Sequence, residues 1–415
     1  MAEKRATFQL LLALALALAL LSMDMANATA AVPAIFVFGD SILDVGNNNF
    51  LPNTTPKANF PHNGIDYPGG IPTGRFSNGN NTADFLAMLM GFDKSPPAFL
   101  SLINANTLAS QMFQGINFAS GGAGIQDRVG ETLCCIASLP DKTTGEAHEI
   151  MEKKDAACIW ENGISALDER AQADQGDAMT PGGAISLSTQ IESFGTVRNN
   201  MTMLKGSAAT DALISNSFFL IGIGSNDFLE YAQLNDVTKN TTANDAYVAC
   251  VVSLFNDHLR TLYQLGARKL GVIGVPPIGC TPFIRSFNDQ GNCSQELNDM
   301  AHMFHGAITT TLNDLQYELQ GMKYSLGNSY DMLVDIYRRQ QYYGYEVVTS
   351  ACCGEGPSNG RTLCLPNVTY CSNRDEYLFW DAYHPTQNVS SLGAFTLYAG
   401  PTNFVAPINF RQLAN

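Results

Sequence analysis

A serine hydroxyl is a weak nucleophile at neutral pH. It needs an imidazole to take its proton, and the imidazole needs an acid to fix its tautomer and stabilise its cation. The chain carries both halves of that arrangement, separated by almost its whole length. Ser41 closes the run Ala34-Ile35-Phe36-Val37-Phe38-Gly39-Asp40-Ser41, where an apolar stretch of strand length ends in a glycine, an acid and a hydroxyl. Asp381 and His384 stand three residues apart in Asp381-Ala382-Tyr383-His384-Pro385. On a turn that spacing lets the carboxylate fold back onto the imidazole, and Pro385 stops the segment continuing as regular structure. Alone, Ser41 reads as an ordinary turn serine; joined to Asp381 and His384 it reads as the nucleophile of acyl transfer. The oxygen that becomes negative in such a reaction needs donors. The backbone N–H groups of the glycines in Asn117-Phe118-Ala119-Ser120-Gly121-Gly122-Ala123-Gly124 and the amide of Asn226 are the candidates.

Other polar residues near these segments receive blander readings. Asp40, Asp44 and Asp227 lack a histidine at triad spacing and are taken to order turns through local hydrogen bonds. His302 and His305 lie three apart on an expected helix, but no nearby acid or thiol completes a metal set, so a solvated or capped helix face is the simpler reading. No metal and no cofactor are expected. Arg75 in Gly74-Arg75-Phe76-Ser77-Asn78-Gly79 receives no chemical role.

The elements that must hold these residues are legible as alternating patterns. Short runs that are apolar at nearly every position recur at 34–38, 116–119, 217–223, 269–275 and 332–336, as strands buried on both faces do. Between them, 82–90, 187–204, 245–265 and 294–319 place apolar residues every three or four positions, the period of a helix. Strand and helix alternate, so the fold class is α/β with a parallel sheet of five strands. Ligands of such sheets lie beyond the carboxyl ends of the strands. Ser41, Gly121-Gly122 and Ser225-Asn226 each follow an expected strand, so all three belong at that edge.

Bulk properties bound the rest. With 415 residues, 45% hydrophobic, and no internal repeat, one large domain is the simplest count. Met1-Ala2-Glu3-Lys4-Arg5, the Leu/Ala run 10–21 and the small residues 26–31 have the order of a signal peptide, assigned to residues 1–30. The apolar run is too short for a membrane anchor, which needs about 20 residues. Residues 31–415 then form the domain, interrupted by a polar, charged, aperiodic insertion at about 131–183. Sequons begin at Asn53, Asn80, Asn200, Asn240, Asn367 and Asn388, so N-linked glycans are expected on an exported chain. A net charge of −15 at pH 7 repels phosphate and excludes nucleic acid and anionic membrane as natural partners. Ten cysteines on a secreted chain suggest disulfides. Cys280 and Cys293 bracket a short loop and make a plausible pair. Cys352, Cys353, Cys364 and Cys371 crowd the segment before Asp381, where two bridges, or much less readily a zinc ion, would restrain it.

Taken together, Gly39-Asp40-Ser41-Ile42-Leu43-Asp44 with Val45-Gly46-Asn47-Asn48-Asn49, then 117–124, then Gly224-Ser225-Asn226-Asp227, then Asp381 to Thr386, form ordered blocks. They resemble the plant GDSL esterase/lipase family across the mature chain except the insertion. The resemblance implies a three-layer α/β/α sandwich of the SGNH hydrolase type, with Ser41 as nucleophile, His384 as base and Asp381 as its partner. It implies oxyanion donors from the Ser41 N–H, a glycine of the second block and the Asn226 amide. The register of the glycine pair is ambiguous by one, with Gly122 chosen and Gly121 the alternative. Ile42 stands where the family has leucine, a near-isosteric change. Leu43 occupies the place of the second glycine in a Gly-x-Ser-x-Gly elbow, which separates the chain from ordinary α/β-hydrolases. Implied substrates are acyl esters of small molecules, lipids, cuticle or acetylated wall polysaccharide. Transfer to a sugar or alcohol hydroxyl, and a non-catalytic glycan- or lipid-binding role, are the alternatives.

Overall fold

The computed structural model describes residues 30–53, 55–127 and 183–415. Nearly all of the expected signal peptide and of the expected insertion lies outside the described residues. The strands are β1 (Ile35–Gly39), β2 (Gly115–Asn117), β3 (Phe218–Gly222), β4 (Lys269–Ile273), β5 (Lys323–Gly327), β6 (Val347–Ala351), β7 (Tyr377–Phe379) and β8 (Val405–Ala406). The main sheet runs β2-β1-β3-β4-β5-β8, parallel except for β8, which pairs antiparallel with β5. In register, Gly39 stands opposite Gly222 and Gly222 opposite Ile273, so β1, β3 and β4 end together at one edge.

Every residue of β1 and β3 is buried, and the alternation of side chains divides them between two layers. Phe36, Phe38, Phe219 and Ile221 pack on one face against α2 (Leu187–Lys205), α4 (Thr241–Gln264) and α5 (Gln295–Glu318) through Phe194, Phe255 and Phe304. Ile35, Val37, Phe218 and Leu220 pack on the other against α1 (Thr82–Leu89), α7 (Gln387–Ala399) and α8 (Phe410–Ala414) through Leu86, Leu397 and Phe410. The result is the three-layer α/β/α sandwich. Among the described residues no helix is long and apolar enough to cross a membrane.

Two expectations require correction. The main sheet has six strands, not five. The fifth parallel strand is β5, whereas Met332–Ile336 lies inside a helix, α6 (Ser329–Arg338). β5 reads Lys-Tyr-Ser-Leu-Gly and lacks the continuous apolar run of its neighbours, because its inward Ser325 is satisfied by the Ile408 carbonyl. Met332, Leu333 and Ile336 have spacing that fits a helix stripe, and Asn328 caps that helix by accepting from the Asp331 N–H at 3.0 Å. A five-residue apolar run carries too little period to decide between the two.

A small second sheet pairs β6 with β7 and precedes Asp381 directly. Disulfides Cys352–Cys371 and Cys353–Cys364 fasten it, and Cys280–Cys293 closes the loop expected from its spacing. The four crowded cysteines are thus bridged, which removes the zinc alternative.

Candidate active site

Ser41 enters the site from the carboxyl end of β1. The Asp40 N–H continues the ladder to the Gly222 carbonyl at 3.1 Å, after which the chain turns. The Asp40 carbonyl accepts from the N–H groups of Leu43 and Asp44 at 3.1 and 3.0 Å. The Asp40 carboxylate accepts from the Ile42 N–H at 3.0 Å, holding the turn that presents Ser41. On the other side of the site, β7 ends at Phe379 and an Asx-type turn follows. The Asp381 carboxylate accepts from the N–H groups of Tyr383 and His384 at 2.9 and 2.8 Å, and the Trp380 N–H closes the loop onto the His384 carbonyl at 2.8 Å. Thr386 then caps α7.

These two turns meet. Ser41 Oγ lies 2.7 Å from His384 Nε2, and His384 Nδ1 lies 2.8 Å from both Asp381 oxygens. A carboxylate accepts only, so Nδ1 carries the ring proton and Nε2 is left as an acceptor facing the hydroxyl. Both Asp381 and His384 are buried, and the Phe76 ring packs 5.0 Å from the imidazole.

The glycine loop after β2 lies alongside. The Gly121 N–H donates to Asp44 at 3.0 Å, and a Cβ at Gly121 would strike the Phe76 ring. Gly122 has φ +85°, and its N–H has no partner among the described residues. Asn226 opens α3 (Ser225–Leu234), where one N–H of its amide donates to the Ala123 carbonyl at 2.9 Å, leaving the other. Ser41, Gly122, Asn226 and His384 line one cavity of about 240 Å³.

The neighbouring acids bind backbone N–H groups, as their turn-ordering reading expects. Asp44 accepts from Gly46 and Asn47 as well as Gly121, and Asp227 accepts from Ile125 and Gln126. Burial raises Asp40 to about 7 and Asp44 and Asp227 to about 6, opposed by those hydrogen bonds. Glu230, on the cavity wall, is raised to about 7 by burial and by the charge of Asp227. His302 packs on Tyr330, while His305 Nδ1 is buried without a hydrogen-bond partner among the described residues, unlike the solvated face expected for it. No group of three metal-ligating side chains occurs among the described residues.

Sequence reasoning missed several positioning residues. Gln190, fully buried on α2, accepts from the Gly39 N–H at 2.8 Å and donates to the Gly39 carbonyl at 2.9 Å, just ahead of the nucleophile. A signal existed, since Gln190 is a polar residue within the apolar stripe of Leu187, Ile191 and Phe194. Asn47 and Asn48 lace the turn after β1 to the glycine loop through the carbonyls of Asn117, Ala119 and Gly121. Arg75, left without a role, forms a buried pair with Asp84 at 2.6 and 2.8 Å, and it sets Phe76 against His384.

A parallel sheet between helical layers, with serine, histidine and aspartate in hydrogen-bonding order at its carboxyl edge and no Gly-x-Ser-x-Gly elbow, defines a class of serine hydrolase. Comparison narrows the class. The family model GDSL-like Lipase/Acylhydrolase matches residues 35–392. The chain is 33% identical over 391 residues to GDSL esterase/lipase At5g55050 of Arabidopsis thaliana, spanning 93% of this chain and 91% of that one. It is 32% identical over 390 residues to At4g16230 (92% and 91%) and 35% identical over 388 residues to At1g71691 (92% and 86%), both GDSL esterase/lipases of the same plant. The chain therefore belongs to the GDSL-like lipase/acylhydrolase family, whose members hydrolyse ester bonds.

Proposed function

We propose that the protein is a secreted carboxylic-ester hydrolase in which Ser41 attacks the ester carbonyl and is itself acylated. His384 takes the serine proton at Nε2 and returns it to the departing alcohol, while Asp381 holds the imidazole and balances its charge. Water, deprotonated by the same nitrogen, then releases the acid and restores Ser41. The oxyanion is received by the N–H groups of Ser41 and Gly122 and by the second N–H of the Asn226 amide. Gly122 is preferred to Gly121 because the Gly121 N–H is held by Asp44.

The observation that carries this reading is the unbroken relay from Ser41 Oγ through His384 to Asp381, at 2.7 and 2.8 Å, opening on a cavity. Its test is hydrolysis of p-nitrophenyl esters from acetate to palmitate by the wild type and by Ser41→Ala, with a fluorophosphonate as covalent probe. The wild type turns over the esters and gains the probe's phosphonyl group on Ser41 with loss of fluoride; the variant does neither. Equal turnover by both proteins refutes the assignment. Product analysis with added sugar or alcohol separates hydrolysis from acyl transfer. The sequon asparagines Asn53, Asn240 and Asn367 are exposed, which supports glycosylation on export. Removal of N-glycans from the secreted protein should lower its mass.

A further inference from the structure

The cavity continues past Ser41 and His384. Beyond the carboxyl ends of β4 and β5 it enters the gap between α6 and α7, bounded by Met332, Leu333 and Ile336 on one helix and Val389, Leu392 and Leu397 on the other. On α6 Ile336 lies three and four residues from Leu333 and Met332, and on α7 Leu392 and Leu397 lie three and eight residues from Val389, so each helix turns an apolar stripe to the gap. Met332, Leu333 and Leu392 are only partly covered. The polar groups on this arm are the hydroxyls of Ser329, Ser390 and Thr396 and that of Tyr343, which donates to Asp335 at 2.6 Å, and neither helix contributes a charged side chain to the lining. Apolar surface of this kind, reached from a nucleophile and carrying no charge, matches an aliphatic chain.

Gly393 occupies the middle of α7 and lines the same cavity. An added Cβ there would meet no atom within 4 Å, so neither packing nor backbone requires glycine. Glycine is also a poor helix former. Its effect at 393 is to leave room. We propose that this arm holds the acyl chain, with the alcohol directed outward, and that Gly393 is a specificity-determining residue that admits medium-chain and longer aliphatic esters. The inference rests on the ester-hydrolase reading above. The cavity volume of about 240 Å³ is shared between the catalytic centre and this arm.

The test compares kcat/KM for p-nitrophenyl octanoate and acetate in the wild type, Gly393→Phe, Gly306→Phe and Ser41→Ala. Gly306 is an exposed glycine within α5 whose added Cβ also meets nothing, so it controls for the helix change alone. Each buried methylene is worth roughly fourfold. The octanoate-to-acetate ratio should therefore be at least about a hundredfold in the wild type. It should fall at least about tenfold in Gly393→Phe and stay at the wild-type value in Gly306→Phe. A wild-type ratio near one, a Gly393→Phe ratio equal to wild type, or an equal fall in Gly306→Phe overturns the proposal. If Gly393→Phe does not fold, Leu333→Trp on the facing wall must produce the same fall. If the wild type turns over neither ester, calorimetry decides: octanoate must bind the wild type and not Gly393→Phe. Activity surviving in Ser41→Ala overturns the hydrolase reading instead, because the serine dependence and the length profile are read separately.

Discussion

Replacing Asp40 by asparagine isolates the effect of burying an acid beside the nucleophile. The carboxyl is 2% exposed, and loss of solvent raises its pKa from 3.8 to about 7, against the lowering effects of the Ile42 N–H and of His384. An acid raised in this way binds its proton more tightly folded than unfolded. The stability it contributes is complete below about pH 4 and is lost as pH rises through about 7. At about 1.4 kcal/mol per pH unit, the span from 3.8 to about 7 corresponds to a penalty on the order of 4 kcal/mol in the ionised state. Asparagine has the same shape, and its oxygen can still accept from Ile42. The variant should match the wild type near pH 4 and gain on it steadily up to pH 7. It should be more stable by as much as a few kcal/mol at pH 8.5, read from urea denaturation at closely spaced pH values. Asp44 titrates in the same region in both proteins and cancels, whereas Asp227 is coupled to Asp40, so the difference reports Asp40 together with its repulsion of Asp227. An advantage that shrinks with rising pH would mean that the fold stabilises the carboxylate, and the burial argument would be wrong.

How much of this was legible in the chain depended on how strongly each residue's signal was local. β1, β3 and β4 were readable because strands covered on both faces are apolar at every position, and the long helices because their stripes repeat over several turns. β5 was not, since Ser325 breaks its apolar run and finds its partner in a carbonyl 83 residues away. The same shortness made Met332–Ile336 resemble a strand, although its leucine and isoleucine form the cavity wall of α6. Ser41, Asp381 and His384 were legible because acyl transfer limits the residue types that can serve it. Gln190 and Arg75 were not assigned, because what they do is defined by partners that only the fold brings near: the backbone of Gly39 for one, and a carboxylate in the first turn of α1 for the other. The choice between Gly121 and Gly122 needed the Asp44 contact, which spacing cannot supply.

The remaining predictions concern positioning. Asn226→Ala removes an amide whose hydrogen bond among the described residues is the one to Ala123; kcat should fall about 10²- to 10³-fold with little change in Tm, and a loss under tenfold would remove Asn226 from the oxyanion site. Gln190→Ala leaves the buried N–H of Gly39 without its side-chain partner, at a cost of about 1–3 kcal/mol, seen as a lower Tm accompanied by lower kcat. Gln190→Glu should be worse near neutrality and recover in acid, where protonation restores a donor toward the Gly39 carbonyl; loss independent of pH would point to packing instead. Arg75→Met leaves Asp84 buried without its cation, which costs about 3–5 kcal/mol. The added replacement Asp84→Asn removes that charge and keeps one oxygen, which can accept from the N–H of Asn81 or of Ser95 but not from both, because these bind different oxygens of Asp84, so the double variant should regain part of the loss in denaturant titration. If the double variant is as unstable as the single one, the stranded charge is not the cause. The Arg75 side chain would then act through its packing over Tyr67 and its bond to Thr73, and through the place these give Phe76 beside His384.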